Sequence, residues 1–79
     1  MRIMDKMDKK ATLAEFITQD IVAKITQEKG LEITQAMNEF YSSETFEKLQ
    51  DYETGLYLEG TDYIYDLLSE ELNNLRKQD

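Results

Sequence analysis

The side chains that could do chemistry in this chain are almost all carboxylates. The 79 residues include no His and no Cys, so the sequence excludes His-dependent hydrolytic triads and thiol chemistry. What remains are carboxylate pairs such as Asp51/Glu53 or Glu70/Glu71, and the serines Ser42/Ser43 without a base. A catalytic carboxylate needs a raised pKa in a sheltered cleft, which a chain of this size rarely encloses. We therefore predict that the protein is not an enzyme, and we expect no cofactor.

The acidic segment from Asp51 to Asp62 has the length of a calcium-binding loop but not its composition. An EF-hand loop needs an oxygen ligand at its fifth position, Gly at its sixth and a bidentate Glu at its end. In this segment those positions are Gly55, Leu56 and Asp62. The sequence therefore favours a solvated turn, and no metal site is expected.

The same segment carries tyrosines between its carboxylates, a combination typical of protein interfaces. Tyrosine offers a large amphipathic contact area, and the carboxylates around it can pair with Arg or Lys of a partner. We therefore predict a protein-binding surface, the acidic face, made of Asp51, Tyr52, Glu53, Tyr57, Glu59 and Tyr63. The alternative for each tyrosine is that its ring covers the edge of the core while its hydroxyl stays in water.

Negative charge is concentrated in this half of the chain. Residues 43–73 hold nine Asp and Glu against Lys48 alone, a sum of −8 that equals the net charge of the whole chain. A field of this sign repels nucleic acid backbones and membrane headgroups, so we expect no nucleic acid and no membrane as partners. It favours an unidentified basic protein instead. The alternative is that the acidity only keeps a small protein soluble.

The length and composition favour a small cytoplasmic domain. No apolar run approaches the roughly 20 residues of a membrane span, and the N-terminal residues lack the apolar core of a signal peptide. Residues 1–11 are polar and slightly basic, so they are predicted to be a flexible lead-in, followed by a single helical domain over residues 12–79.

The first predicted helix has apolar residues on more than one side. Thr12 and Glu15 form a capping-box pattern that predicts its start. Val22 lies on the far side of its main apolar arc, which consists of Leu13, Phe16, Ile17, Ile21 and Ile25. A helix of this kind is contacted on two sides. A homodimer, in which a second copy covers Phe16 and Val22, is therefore the alternative to a basic partner.

Apolar spacing and caps predict the remaining helices. Ser43 is placed to cap a short helix, and the last helix carries a stripe of leucines and one isoleucine that begins at Ile64. Glu71 falls inside this apolar stripe, which predicts that it lies at a rim or pairs with a Lys. The sequence thus predicts an all-α fold, a small bundle of three to four helices at about 12–29, 34–41, 44–50 and 62–76.

The central stretch resembles a small bacterial family of unknown function. The residues that carry the resemblance are Ser43, Thr45, Phe46, Leu49, Asp51, Glu53, Thr54, Gly55, Leu56 and Tyr57, followed by Tyr63, Ile64, Leu67 and Leu68. The chain departs from the family pattern at Gly60-Thr61, where Ser-Pro is expected, and this puts the loop shape in doubt. The resemblance implies an antitoxin-like or other accessory role in a bacterial cell.

Overall fold

The computed structural model of the protein describes the backbone of residues 9–77 and the side chains of residues 9–75. Within this range every regular element is helical, so the predicted all-α fold is confirmed. Two 3-10 turns, Tyr52–Thr54 and Leu56–Leu58, stand between the third and fourth helices. The four α-helices are α1 (Lys9–Lys29), α2 (Ile33–Tyr41), α3 (Glu44–Gln50) and α4 (Thr61–Lys77).

Helix α1 begins at Lys9, three residues before the predicted start. Thr12 is therefore a residue inside the helix and not its cap. Lys, Lys and Ala are good helix formers, so the helix continues backwards past the capping-box pattern. Residues 9–11 of the predicted lead-in are thus helical, and residues 1–8 lie outside the described range.

The buried side of α1 contains part of the predicted apolar arc but not all of it. Ile21 and Ile25 are completely buried and Val22 is only 6% exposed. Leu13 and Phe16, in contrast, are 42% and 58% exposed. Val22 is therefore a core residue, and it is unavailable to the second copy that the sequence suggested for it.

A tight turn joins α1 and α2 into a helical hairpin. Gly30 has a φ of 67°, in the left-handed region that favours glycine, and its amide donates to the Thr26 carbonyl. Glu32 and Gln35 then form a capping box at the start of α2. An ion pair of 2.9 Å between Lys29 and Glu39 links the two helices.

Helix α3 begins where the sequence predicted. The Ser43 hydroxyl accepts a hydrogen bond of 3.0 Å from the Phe46 amide, which is the N-cap arrangement, and donates one of 2.6 Å to the Phe40 carbonyl. One serine therefore ends the α2 segment and starts α3.

Helix α4 runs parallel to α1. The Thr61 hydroxyl donates to the Asp20 carboxylate at 3.1 Å, and further along both helices the Tyr65 hydroxyl donates to Glu28 at 3.2 Å. Ile64 and Leu68 of α4 enter a single apolar core with the buried side of α1 and with Phe40 and Leu49. None of the helices within residues 9–77 is long and apolar enough to cross a membrane.

Candidate functional site

The connection between α3 and α4 is an ordered segment held by its own hydrogen bonds. The Asp51 carboxylate accepts from the Glu53 amide at 3.2 Å and so caps the first 3-10 turn. The Thr54 hydroxyl donates to the Lys48 and Asp51 carbonyls and accepts from the Leu56 amide. This network fixes the segment that carries most of the acidic face.

Gly55 makes the reversal between the two 3-10 turns possible. Its φ of 71° lies in the left-handed region, which costs residues with a Cβ about 1 kcal/mol or more. Because of this reversal the next residue, Leu56, turns into the core and is only 9% exposed. The connection therefore packs on the helices.

Five of the six residues predicted for the acidic face lie on this connection. Tyr52 and Tyr57 pack together edge to face, with ring centroids 5.9 Å apart, and both are half-buried against the core. Glu53 and Glu59 are exposed, and neither forms an ion pair with any other described residue. The structure thus brings a tyrosine pair and unpaired carboxylates into one short segment.

Tyr63 is the sixth predicted residue and stands apart from the other five. It lies in the first turn of α4 and is 49% exposed. Between residues 9 and 77 no hydrogen bond or ring contact joins it to the tyrosine pair. Tyr63 can therefore contribute to an interface only as the edge of the acidic face.

Tyr65 has a structural role. Its hydroxyl donates to Glu28, and the Lys24 ammonium lies 5.5 Å from the centre of its ring. Burial, and then the negative charge and hydrogen bond of Glu28, raise the pKa of Tyr65 above its ordinary value of 10.0. This tyrosine joins α1 to α4 and leaves little of its surface for a partner.

Glu71 caps α3 from a distance. Its two carboxylate oxygens accept hydrogen bonds from the Glu44 amide at 2.8 Å and from the amide and hydroxyl of Thr45 at 2.9 Å and 2.8 Å. Partial burial alone would raise its pKa, but the hydrogen bonds from Glu44 and Thr45 outweigh burial and lower the pKa below 4.5. Glu71 is half-buried, as expected for a rim position, and its main partner is the start of a helix, with the charge of Lys48 contributing a smaller effect.

Metal binding and acid catalysis both require carboxylates in particular surroundings. Within residues 9–77 no group of three or more Asp or Glu could hold a metal ion. In the pair Glu70/Glu71, the lowered pKa of Glu71 is the opposite of what a general acid requires. What the arrangement can do is attract cations and bury aromatic surface.

Sequence reasoning missed two exposed apolar residues near the acidic face. Leu58 is 69% exposed at the end of the second 3-10 turn, beside Glu59. Tyr41 is 46% exposed where α2 ends. Leu58 could have been predicted to be exposed, because it lies in an acidic segment bounded by glycines. Nothing in the sequence distinguished Tyr41, at the end of a helix, from a residue that faces the core.

Comparisons with known proteins gave no match: no family model, no curated protein and no solved structure is significantly similar to this chain.

Proposed function

We propose that this protein is a non-enzymatic interaction module that binds a basic protein through its acidic face. The contact would be centred on the connection 51–60 and extend to the first turn of α4. Complementary charge would speed the encounter, and aromatic and aliphatic side chains would hold the complex.

The exposure of Leu58 is the observation that carries this proposal. A leucine that is 69% exposed costs hydration free energy in the isolated chain. Its neighbour Glu59 and the nearby Glu53 are unpaired in the part of the chain described here. An exposed apolar residue on a segment that also carries unpaired carboxylates fits a partner surface with an apolar pocket and a basic rim.

The rigidity of the connection supports the same proposal. The hydrogen bonds of Asp51 and Thr54 hold both 3-10 turns in place before any partner arrives. A preorganised segment loses less conformational entropy on binding than a flexible loop does. Leu58 is therefore presented at a fixed position.

The biological role that fits such a module is antitoxin-like or accessory. A small acidic protein can cover the basic surface of a toxin or regulate an enzyme by occupying it, and it needs no chemistry of its own. This part of the proposal rests on the sequence resemblance and on the charge of residues 43–73, which sums to −8. With this role we also propose a location in the bacterial cytoplasm.

Affinity capture from lysate of its native cells, followed by mass spectrometry, tests the proposal. Leu58→Ser should lower the recovery of the partner about tenfold, because truncating a central contact residue commonly costs 1–2 kcal/mol or more. Salt at about 0.5 M should also lower it, because the Debye length falls to about 4 Å.

Ile33→Ser is the matched control. Ile33 is 63% exposed, close to the 69% of Leu58, but it lies at the start of α2. A partner that is lost equally with both variants, or that is indifferent to both Leu58→Ser and salt, would refute the proposal. A failure to capture any partner would refute it as well.

Self-association through α1 is the second candidate. Leu13 and Phe16 are 42% and 58% exposed on one side of the helix, which gives a second copy apolar surface to cover. Sedimentation at micromolar concentration distinguishes the two candidates. A dimer that Phe16→Ser converts to a monomer supports this candidate, and a monomeric wild type rejects it.

A further inference from the structure

A pair of aromatic rings forms a ridge where α2 leads into α3. The ring centroids of Tyr41 and Phe46 lie 5.0 Å apart, with the planes inclined by 41°. A groove of about 310 Å³ lies on the α1 side of these rings and one of about 330 Å³ on the other side, and both are lined by Tyr41, Phe46 and Gln50. We call the two rings and their flanking grooves the Tyr41 ridge.

Carboxylates flank the Tyr41 ridge on both sides. Glu15 lines the groove next to α1, and Glu44 and Glu47 line the other. Of the residues that the structure describes, no Lys or Arg lines either groove. The ridge is therefore an aromatic surface whose only charged neighbours in the two grooves are carboxylates, among the residues described.

The two α3 carboxylates have a structural explanation, but Glu15 does not. Glu44 and Glu47 stand in the first turn of α3, where negative side chains favour the helix dipole. Glu15 lies beyond the first turn of α1, where that effect has faded, and it forms no ion pair within residues 9–77. Its position beside an exposed tyrosine suits a positively charged ligand.

Aromatic faces attract cations. Arginine suits such a contact best, because its planar guanidinium also stacks on the ring. The chain already contains one such contact, since the Lys24 ammonium lies over the ring of Tyr65. Tyr41 is 46% exposed, so its ring is open to an incoming side chain.

From this geometry we infer that the Tyr41 ridge is a docking site for a basic segment of a partner protein. An arginine of that segment stacks on Tyr41, and neighbouring basic side chains pair with Glu15 and Glu47. The inference rests on the proposed function, because it assigns a second contact to the same basic partner. The two surfaces meet at Tyr52, which belongs to the acidic face and also lines the groove next to α1.

A second copy of the chain is the competing occupant, and charge disfavours it. Each copy carries a net charge of −8, and the ridge itself presents three of its carboxylates. Pairing two such surfaces would bring like charges together, which costs free energy in proportion to how completely they are desolvated. A basic segment removes that repulsion.

Titration of the full chain with a blocked peptide of alternating arginine and alanine tests the inference. Aromatic NMR signals of Tyr41 and Phe46 should shift on addition of the peptide. Tyr41→Leu should weaken binding about fivefold, the equivalent of one cation–π contact. Phe16→Leu is the matched control, because Phe16 is an exposed aromatic residue, at 58% against 46% for Tyr41, and lies outside both the acidic face and the ridge. It should change the affinity less than about twofold.

A second pair of variants tests the charge of the ridge and protects against misfolding of Tyr41→Leu. Glu15→Gln should weaken peptide binding, and Glu70→Gln, which removes the same charge outside both the ridge and the acidic face, should weaken it less. The uncharged citrulline form of the peptide should not bind. Equal effects of Tyr41→Leu and Phe16→Leu, or equal binding of the citrulline peptide, would overturn the inference.

Two further outcomes separate this inference from the proposed function. If Tyr41 signals shift with protein concentration and not with peptide, the occupant is a second copy and the inference is wrong. If the peptide leaves Tyr41 unchanged while Leu58→Ser abolishes partner capture, only the ridge fails. If the peptide binds at Tyr41 while partner capture ignores Leu58→Ser, the ridge stands and the acidic face fails.

Discussion

Replacing Glu71 with alanine tests the most specific contact in this fold. The Glu71 carboxylate of α4 accepts three hydrogen bonds from Glu44 and Thr45 at the start of α3. Helix α3 has only seven residues, and helices this short are not stable alone in water. The start of α3 therefore depends on a side chain from another helix.

The expected loss of stability follows from what each donor does after the substitution. The Glu44 amide is exposed and can bind water, so its loss resembles that of an N-cap, about 1 kcal/mol. Thr45 is 4% exposed, and its amide and hydroxyl lose a charged acceptor that water replaces poorly, at about 1–2 kcal/mol. Glu71→Ala should thus lower the free energy of unfolding by about 2–3 kcal/mol.

Thermal unfolding followed by circular dichroism measures this loss. For a domain of this size each kcal/mol lowers Tm by about 4–8 °C, so Glu71→Ala should melt at least about 8 °C below the wild type. Glu70→Ala is the control, because this substitution removes the same charge. Glu70 is exposed and forms no hydrogen bond to another described residue. A Glu71→Ala protein as stable as Glu70→Ala would refute the capping role.

The pH dependence of Glu71 adds an independent check with a defined sign. Because the folded-state pKa of Glu71 lies below its unfolded value, its contribution is complete above the unfolded pKa. That contribution is lost as the pH falls through the folded-state pKa. The stability difference between wild type and Glu71→Gln should therefore be largest near neutral pH and shrink below about pH 4. A difference that grows on acidification would contradict this assignment.

Two other substitutions test the connection and the core. Gly55→Ala should destabilise the protein by about 1 kcal/mol in urea unfolding, because its φ of 71° strains any residue with a Cβ although no atom lies within 4 Å of that position; no loss would show that the turn adjusts freely. Leu68→Ala should cost about 2–5 kcal/mol because Leu68 is 1% exposed, whereas Leu75→Ala, at 53% exposure, should cost well under half as much. Equal losses for the two leucines would refute the assignment of the core.

Helical spacing predicted most of the buried face of α4, although Leu75 at the end of the stripe is 53% exposed, and it predicted α1 only in part. Ile64 and Leu68 recur at helical spacing and are buried, because this stripe has the rest of the bundle opposite it. The same rule failed at Leu13 and Phe16. Spacing shows which residues share a face but not how far a neighbouring helix extends. Since α4 begins opposite Asp20, it does not reach the exposed residues one to two turns earlier.

Local caps were predictable when the competing sequence was a poor helix former. The predicted helix start at Ser43 is confirmed, because the residue before it is another serine, which does not favour continuing the previous helix. Thr12 follows two lysines and an alanine, and the helix simply includes them. A capping-box pattern of four residues contains no information on the helix propensity of the residues before it. This is why the predicted start of α1 was wrong.

The partner of Glu71 could not be predicted from local sequence. Its position in an apolar stripe signalled an unusual role, but the donors lie 26 and 27 residues earlier in the chain. Which helix end reaches a given side chain depends on how the connection 51–60 folds. The predicted residues of the acidic face depend on that same connection, which is why five of them lie together on it and Tyr63 does not.

The long-range cap of α3 also determines the order in which the chain can assemble. The α1–α2 hairpin closes through contacts near in sequence, such as the pair Lys29 and Glu39 that are 10 residues apart. Helix α3 receives its capping acceptor only after Glu71 has been synthesised, 26 residues beyond Thr45. At the usual pace of translation that delay is about 1–5 s. During synthesis the α1–α2 hairpin can therefore form while the amides of Glu44 and Thr45 in α3 still lack their acceptor.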